Sequence, residues 1–181
     1  MIRSGNIWLR AVEPTDIDLL FGWENDPDVW HVSNTITPYS RYQIEQFVFN
    51  SQQDLFSTGQ LRLIITAREK DDQRVPAGAV DLFEIDAVHR RAGIGILVTS
   101  EYRNKGIATE ALEMMIDYAR ETLHLHQLYC HIAENNPFSI RLFEKLGFVC
   151  CGTRREWLLT QDGWIDQYMY QLILEPPTNR A

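Results

Sequence analysis

Apolar residues recur along this chain with two different periods, and the change of period marks the boundaries of its elements. Alternation and short apolar runs predict strands, whereas spacings of three and four residues predict amphipathic helices. Strands are predicted over 6–12, 60–69, 77–85, 89–99, 127–133, 148–159 and 164–174. Helices are predicted over 13–26, from 38 to about 52, from 106 onward and from 137 to 146. The order β-α-α-β-β-β-α-β-α-β-β predicts a mixed sheet with helices packed on it.

Residue types at the predicted helix ends support two of these helices. Thr37 and Pro38 are predicted to be the N-cap and first helical residue of the second helix. Asn136 and Pro137 are predicted to play the same roles in the last helix, and Gly147 is predicted to follow its C-terminus.

Connections between the elements are short. Residues 26–36 are predicted to form a loop and residues 70–76 a turn, since both are rich in polar residues and contain proline. The three strands between residues 60 and 99 are therefore predicted to be antiparallel neighbours. Because the chain has no repeat and no linker, we expect residues 1–181 to form one domain.

Composition and charge exclude several classes of protein. The net charge is −8 and the hydrophobic fraction is 45%, which predicts a folded domain without the basic face that nucleic-acid binders use. We see no signal peptide and no apolar stretch long enough to cross a membrane. The three cysteines, an odd number of which two are adjacent, fit a reducing cytoplasm better than a disulfide framework.

The hexapeptide Arg103–Ala108 lies at the junction between a predicted strand and a predicted helix. Two cations, a glycine and the N–H groups of a helix start are typical of a phosphate site, although such a segment can also be a solvated loop. The usual nucleotide motifs do not fit. Gly93-Ile94-Gly95 lacks the third glycine of a dinucleotide fingerprint, and the chain has no nucleotide P-loop.

Two segments together resemble a known family. The pattern Arg-x-x-Gly-x-Ala after "GIGILVTSEY", followed by "NNPFSIRLFEKLGF", resembles the GNAT superfamily of acyl-CoA N-acetyltransferases. The stretch "AVDLFEIDAVHRRAGIGILVTSEYRNKGIATEAL" is most similar to the spermidine and diamine N-acetyltransferases and to the ribosomal-protein N-acetyltransferases. The resemblance implies an α+β (mixed α/β) GNAT fold: a central, mostly antiparallel twisted sheet flanked by about four helices. It also implies acetyl-CoA as cosubstrate and no metal.

The resemblance assigns candidate CoA-binding residues. The pyrophosphate would be bound by Arg103, Asn104, Lys105, Gly106, Ile107 and Ala108. Strand residues Ile96, Leu97 and Val98 would pair with the pantetheine amides. The second motif matches at Asn136 and Ser139, where such an asparagine faces CoA in the family. Asn136 could instead serve only as a helix cap.

Two departures from the polyamine enzymes concern the acceptor and the mechanism. Their first inter-helix loop is acidic, whereas residues 29–35 of this chain contain no carboxylate. Phe143 stands where those enzymes have a tyrosine general acid. Phe143 could simply be a core residue on the inward face of its helix.

The implied reaction is attack of a primary amine on a thioester. The amine must first lose a proton, since its pKa is near ~10.4. Candidate bases are Glu84 and His131, with Asp81 and His89 as further options, and the family places the oxyanion donor at the N–H of Val98. The thiolate can leave without full protonation, because its conjugate acid has a pKa of roughly 8.5.

Each favoured base has a structural alternative. Glu84 has the sequence parity of Val80 and Leu82, so one strand face is predicted to carry all three, as a cleft or as an exposed edge. His131 could be a satisfied core histidine. Histidines 124, 126 and 131 match no strong metal site. Cys130 lacks a partner pattern for covalent catalysis, so direct transfer is predicted.

These observations lead to one prediction and one alternative. The chain is predicted to be a cytoplasmic N-acetyltransferase that moves an acetyl group from acetyl-CoA to a primary amine, either a small polyamine-like molecule or a protein N-terminus. It could act as a homodimer, with neither nucleic acid nor membrane as partner. The alternative is an acyl-CoA-binding protein with little or no turnover, which Phe143 suggests.

Overall fold

A computed structural model describes residues 1–27, 30, 37–51, 53–69 and 73–174. The described strands are β1 Ile2–Ser4, β2 Ile7–Ala11, β3 Leu61–Arg68, β4 Arg74–Asp86, β5 Arg91–Val98, β6 Gln127–Ala133, β7 Val149–Thr160 and β8 Gly163–Ile173. The described α-helices are α1 Ile17–Glu24, α2 Arg41–Asn50, α3 Leu55–Thr58, α4 Ile107–Glu121 and α5 Pro137–Lys145.

The strands form a single sheet in the order β1-β2-β3-β4-β5-β6-β8-β7. Neighbouring strands are antiparallel except β5 and β6, which are parallel. The predicted mixed, mostly antiparallel sheet is confirmed, and so are the three antiparallel neighbours β3, β4 and β5.

The sheet carries helices on both faces. One face, here called the α4/α5 face, packs residues such as Leu82, Ile94 and Leu128 against α4 and α5. The other, the α1/α2 face, packs Ile64 against residues of α1 and α2 such as Leu20. Because successive strand residues point to opposite faces, residue parity decides which helices a side chain meets.

Helix α5 begins and ends as its sequence predicts. The Asn136 side chain accepts a hydrogen bond from the Ser139 N–H at 3.1 Å, and Pro137 is the first helical residue. Gly147 follows the helix with φ +87°, a left-handed conformation that glycine adopts without strain. In α4, the predicted inward residues Ile107, Ala111 and Met115 are buried. Local sequence signals therefore determine where α5 begins and ends and which face of α4 is buried.

The second predicted helix begins later than expected. Its N-cap is Ser40, whose hydroxyl accepts from the Gln43 N–H while the Gln43 side chain accepts from the Ser40 N–H. The assignment of Thr37 as N-cap is wrong, because this reciprocal capping box satisfies two amide groups at once. Strand β1 and helix α3 were also not predicted, and both are short.

Two predicted connections, the turn 70–76 and the loop 26–36, differ from the prediction or lie partly outside the described residues. Strand β4 begins at Arg74 and includes Pro76, so the predicted turn 70–76 is shorter than expected. Pro76 is tolerated because the β3–β4 register shifts between Ile65 and Thr66. Residues 70–72, and most of the predicted loop 26–36, lie outside the described residues.

No helix within the described ranges is long and apolar enough to span a membrane. The three cysteines are free thiols: Cys130 is buried, and Cys150 and Cys151 are exposed.

Candidate active site

Strands β5 and β6 pair over only three residues and then separate. The recorded parallel pairs run from Arg91 with Gln127 to Gly93 with Tyr129. Beyond them the C-terminal half of β5 and the end of β6 border a gap in the sheet. Asp81 and Gly95 remain paired on the other side, so β5 stays firmly attached to β4.

Backbone groups of both strands point into this gap. The Thr99 N–H donates to the Ala77 carbonyl at 3.0 Å, which sets the alternation of the β4–β5 ladder. Since Val98 pairs with Gly78, one step along from that bond, its N–H and carbonyl point away from β4. The same holds for Ile96. On β6, the bond from the Glu134 N–H to Asp166 directs the backbone groups of His131 toward the gap by the same rule.

A cavity of about 540 Å³ passes through the gap and reaches both faces of the sheet. On the α4/α5 face its lining includes Cys130, Ile132, Asn136, Ser139 and Phe143. On the α1/α2 face its lining includes Trp23, Glu24, Arg62, Asp81, Gly95, Leu97, His131, Arg154, Trp157 and Gln167. Two ligands approaching from opposite faces could therefore meet inside the sheet.

The hexapeptide lies at the C-terminal end of β5 and leads into α4. Asn104 and Gly106 have φ values of +61° and +79°, and Gly106 is the N-cap of the fifteen-residue helix. In the part of the chain that the structure describes, the N–H groups of Asn104, Lys105 and Gly106 have no acceptor. Free amides at the positive end of a long helix are suited to bind a phosphate.

Side chains next to this loop are held away from the free amides. Arg103 donates from Nε to the Val98 carbonyl at 3.1 Å, and the Lys105 ammonium lies 4.8 Å from the centre of the Tyr102 ring. Both cations are exposed and stay beside the loop. They add positive charge near the loop and leave its free amides accessible.

An ion network forms one wall of the cavity on the α1/α2 face. Arg62 binds Asp81 through two bonds of 2.6 and 3.0 Å and also contacts Glu24. Burial lowers the pKa of Arg62, but attraction and hydrogen bonds from Asp81 and then Glu24 outweigh it, so that pKa lies above its usual value. Arg62 stays charged, and the wall carries one net negative charge.

The opposite wall carries a second arginine. Arg154 donates from Nη1 to the side-chain oxygen of buried Gln167 at 3.1 Å, and its guanidinium lies 5.0 Å from the centre of the Trp157 ring. A register shift in β7 between Arg154 and Leu158, with φ +46° at Glu156, turns both Arg154 and Trp157 toward the cavity.

His131 lies between the two walls. Burial, and then the charge of Arg154, lower the pKa of its imidazole, so the ring is neutral at pH 7. Its Nδ1 is buried and has no hydrogen-bond partner among the described residues. A neutral imidazole with a free nitrogen in a cavity can accept a proton.

Known proteins with similar sequence and structure share this architecture. The model of an acetyltransferase (GNAT) domain family matches residues 6–149. An uncharacterized N-acetyltransferase, p20, from Bacillus licheniformis is 31% identical over 173 residues, which cover 95% of both chains. This chain belongs to the GNAT acetyltransferase family.

A similar sequence and a similar solved structure are both named for a polyamine substrate. A spermidine N(1)-acetyltransferase from Vibrio cholerae is 28% identical over 149 residues, covering 81% of this chain and 80% of that protein. A structure of spermidine N-acetyltransferase from Vibrio cholerae in complex with CoA and spermine superposes with a TM-score of 0.83, at 25% identity, over 94% and 96% of the two chains. The predicted family, fold and acyl-CoA-dependent N-acetyltransferase activity are confirmed.

The parity assigned to Glu84 is wrong. The β4–β5 register shifts between Phe83 and Asp86, and Glu84 has φ +49°, so its side chain leaves the face of Val80 and Leu82. Glu84 is exposed and accepts a hydrogen bond from the Tyr129 hydroxyl. It is not among the residues that line the cavity. A catalytic role for Glu84 stays a prediction that this placement does not favour.

The other candidate bases and the thiol have defined places. Both oxygens of Asp81 are bound to Arg62, and His89 is exposed beside Asp86, away from the cavity. Cys130 lines the cavity, but burial, and then Cys151, raise the pKa of its thiol to about 12. Cys130 is therefore a poor nucleophile, which agrees with direct transfer.

Within the described segments, no group of three or more His, Cys, Asp or Glu side chains is arranged to hold a metal ion.

Phe143 is both a core residue and part of the cavity wall. Its side chain is buried and packs edge-on against Phe148 with ring centres 5.0 Å apart, while the same ring lines the cavity. Asn136 and Ser139 likewise combine helix capping with a place in the lining. The structural and functional interpretations of these residues are compatible.

Sequence reasoning missed most of the α1/α2 face of the site. Glu24, Arg62, Arg154 and Gln167 come from four different elements, and no short motif joins them. The one signal available was the position of Arg62 between Leu61 and Leu63, which identifies a face of the sheet and not a cavity. Arg154, between Thr153 and Arg155, carries no such signal.

Proposed function

We propose that this GNAT enzyme binds acetyl-CoA along the gap between β5 and β6 and transfers the acetyl group to a small primary amine that enters from the α1/α2 face. The observation that carries the proposal is the pair of backbone N–H groups of Ile96 and Val98, which have no acceptor on β4 and are directed into a gap that ends at the hexapeptide. Pantetheine contains amides that can pair with such a strand edge, and its pyrophosphate matches the loop.

Different residues of the cosubstrate site would bind different parts of acetyl-CoA. Arg103 to Ala108 would hold the pyrophosphate, chiefly through backbone N–H groups. Ile96 and Val98 would pair with the pantetheine, whereas the backbone of Leu97 faces β4 and its side chain lines the cavity. Asn136 and Ser139 would border the cosubstrate from the α4/α5 face.

Acetyl-CoA supplies a thioester carbonyl as the electrophile. The resemblance suggests the Val98 N–H as donor to the carbonyl oxygen, but Val98 lies next to the hexapeptide, so its N–H would pair with the pantetheine. The Ile96 N–H, which has no acceptor on β4 and lies nearer the level of His131, would donate to the carbonyl oxygen as charge develops there, while the Ile96 carbonyl accepts from the pantetheine. His131 would accept the proton that the amine must lose, directly or through water. Phe143 offers no proton to the leaving thiolate, which can depart as the anion. No residue of the chain forms a covalent bond.

The acceptor is a primary amine in each version of this proposal. The names of the spermidine-acetylating relatives support a small amine over a protein N-terminus. The first inter-helix loop, residues 29–35, contains no carboxylate, and apart from Trp30 it lies outside the described ranges; from its sequence we predict weak activity with spermidine. A cytoplasmic location and a homodimer also stay predictions.

Calorimetry with CoA and a thiol-release assay with acetyl-CoA and a panel of primary amines test the proposal. We expect saturable CoA binding, and thiol release that depends on an amine. Arg103→Ala should weaken CoA binding, and Arg120→Ala, at the other end of α4, should not. CoA binding without turnover on any amine would favour the acyl-CoA-binding alternative, and absence of CoA binding would refute the site.

A further inference from the structure

The cavity wall contains two arginines in different electrostatic environments. Arg62 is bound by both Asp81 and Glu24, so its charge is more than balanced. Among the described residues, Arg154 has no carboxylate partner and makes one hydrogen bond, to the neutral amide of Gln167. Its neighbour Arg155 is paired with Asp166 at 3.0 Å. Arg154 is thus the unbalanced positive charge of the cavity wall.

The position of Arg154 separates it from the CoA phosphates. Arg154 pairs with Gln167, which pairs with Ala133, so its side chain shares the face of His131 and Asp81. The hexapeptide leads into α4, which packs on the opposite face. A ligand group that meets Arg154 therefore belongs to the acceptor.

The backbone of β7 after Arg154 departs from a regular strand and brings Trp157 beside the Arg154 side chain. In a regular strand, residues 154 and 157 would point to opposite faces, because their separation is odd. The register shift after Arg154 brings Trp157 to the same cavity, where its ring lies against the guanidinium. The ring and Gln167 fix the guanidinium plane while leaving other N–H groups for a ligand.

Charge balance then discriminates between acceptors. Glu24 and Asp81 contribute two negative charges, Arg62 and Arg154 contribute two positive charges, and His131 is neutral. Over these lining residues the charges sum to zero, so the attraction of a polycation to the Glu24 and Asp81 side is offset by its repulsion from Arg154, while Glu84 adds a negative charge outside the lining. An amine with a carboxylate at its far end matches Arg154 in charge and in planar geometry.

We propose that Arg154 determines acceptor specificity by binding a carboxylate carried by the substrate, so that the acceptor is a small amino acid-like amine rather than a polyamine. This inference rests on the proposed acetyl transfer to a small primary amine. It assigns Arg154 a role in substrate binding and none in proton transfer.

Three series of amines that differ only at the far end test the inference. They are straight-chain alkylamines, α,ω-diamines and ω-amino acids of three to six carbons, all with the same primary amine nucleophile. We expect the highest kcat/KM for an ω-amino acid. Arg154→Gln should lower that value about 10- to 100-fold, the usual effect of losing a hydrogen bond between charged groups, and change the alkylamine value little. Arg154→Glu should reverse the preference toward the diamine.

Arg155→Gln is the matched control, since it removes the same charge one residue away and should leave all three series unchanged. A purely structural role of Arg154 would lower all three series together, and that outcome would overturn the inference. A preference of the native enzyme for diamines would also overturn it. Acetylation of alkylamines or diamines alone would leave the proposed function standing, whereas CoA binding without acetylation of any amine would refute the proposed function itself.

Discussion

The two faces of the cavity offer different kinds of groups to a ligand. On the α4/α5 face and along β5, the groups offered are backbone N–H groups: those of Ile96, Val98 and the hexapeptide. On the α1/α2 face, the groups offered are charged and aromatic side chains from five strands and helices, such as Arg62 and Arg154. The backbone conformation determines the groups offered on the first side, and the residue types determine those offered on the second.

This difference affects how the two sides of the cavity respond to amino acid substitutions. Backbone donors survive most substitutions, so the cosubstrate side can stay constant while sequence varies around it. A side-chain wall changes its specificity with one or two substitutions. We therefore expect relatives of 25–31% identity to retain the backbone donors more readily than the side chains of the acceptor wall.

The strongest test of the side-chain wall is removal of Arg62. Arg62→Leu leaves Asp81 and Glu24 as neighbouring carboxylates without a cation. We expect a loss of about 3 kcal/mol in the free energy of unfolding, the low end for a buried pair, because the Arg62 side chain is 17% exposed. Urea unfolding measures it. Arg41→Leu, which removes an exposed pair with Asp18, is the control and should have little effect.

A hydroxyl at position 143 tests whether the cavity wall accepts a proton donor. Because Phe143 lines the cavity, Phe143→Tyr should raise kcat, by up to roughly 10²-fold if the hydroxyl reaches the leaving sulfur. Stability should stay unchanged. A stability loss of about 1–3 kcal/mol without a gain in kcat would mean that the hydroxyl is buried without a partner. Parallel kinetics and thermal unfolding distinguish the two results.

The backbone side is tested by Gly106→Val. A β-branched residue at φ +79° costs about 1–2 kcal/mol of stability and obstructs approach to the loop amides. We expect CoA affinity to fall at least about tenfold, the value of one lost charge-assisted hydrogen bond. Gly59→Val imposes a similar strain, at φ +66°, at the end of α3. It should cost stability and leave CoA affinity intact; equal affinity losses would count against a pyrophosphate site at the hexapeptide.

A smaller effect is expected from the titration of His131. Burial lowers its pKa in the folded chain, so between that pKa and the unfolded value near 6.5 the unfolded chain binds more protons. This contribution to stability is fully present above about pH 6.5 and declines as the pH falls through that window. His131→Gln should flatten the pH dependence of the unfolding free energy just below about pH 6.5, the unfolded value near which this contribution begins to decline. An unchanged slope would show that His131 is not the group responsible.

Much of the fold could be predicted from the sequence, because its elements carry local signals. Helix α5 follows from Asn136, Pro137 and Gly147, and the place of the hexapeptide at a strand–helix junction follows from the change of apolar period around it. Glu84 shows the limit of such reasoning. Parity places it beside Leu82, and a single register shift, which no residue type announces, turns it to solvent.

The acceptor wall could not be predicted for a related reason. Arg62 and Asp81 are 19 positions apart, and Arg154 lies far beyond both, so their meeting depends on strand order and register. The feature that brings Trp157, itself 54% exposed, to the cavity is again a register shift. Sequence reasoning found the groups that one segment brings together and missed those that the sheet assembles.

Amide hydrogen exchange along β5, followed by NMR with and without CoA, tests directly whether the cosubstrate lies in the gap. Ile96 and Val98 point into the gap, while the intervening Leu97 donates toward β4, so the strand contains its own control. We predict that CoA slows exchange at Ile96 and Val98 and leaves Leu97 nearly unchanged. Equal protection at all three amides, or none at Ile96 and Val98 when CoA is bound, would contradict the placement of the cosubstrate in the gap.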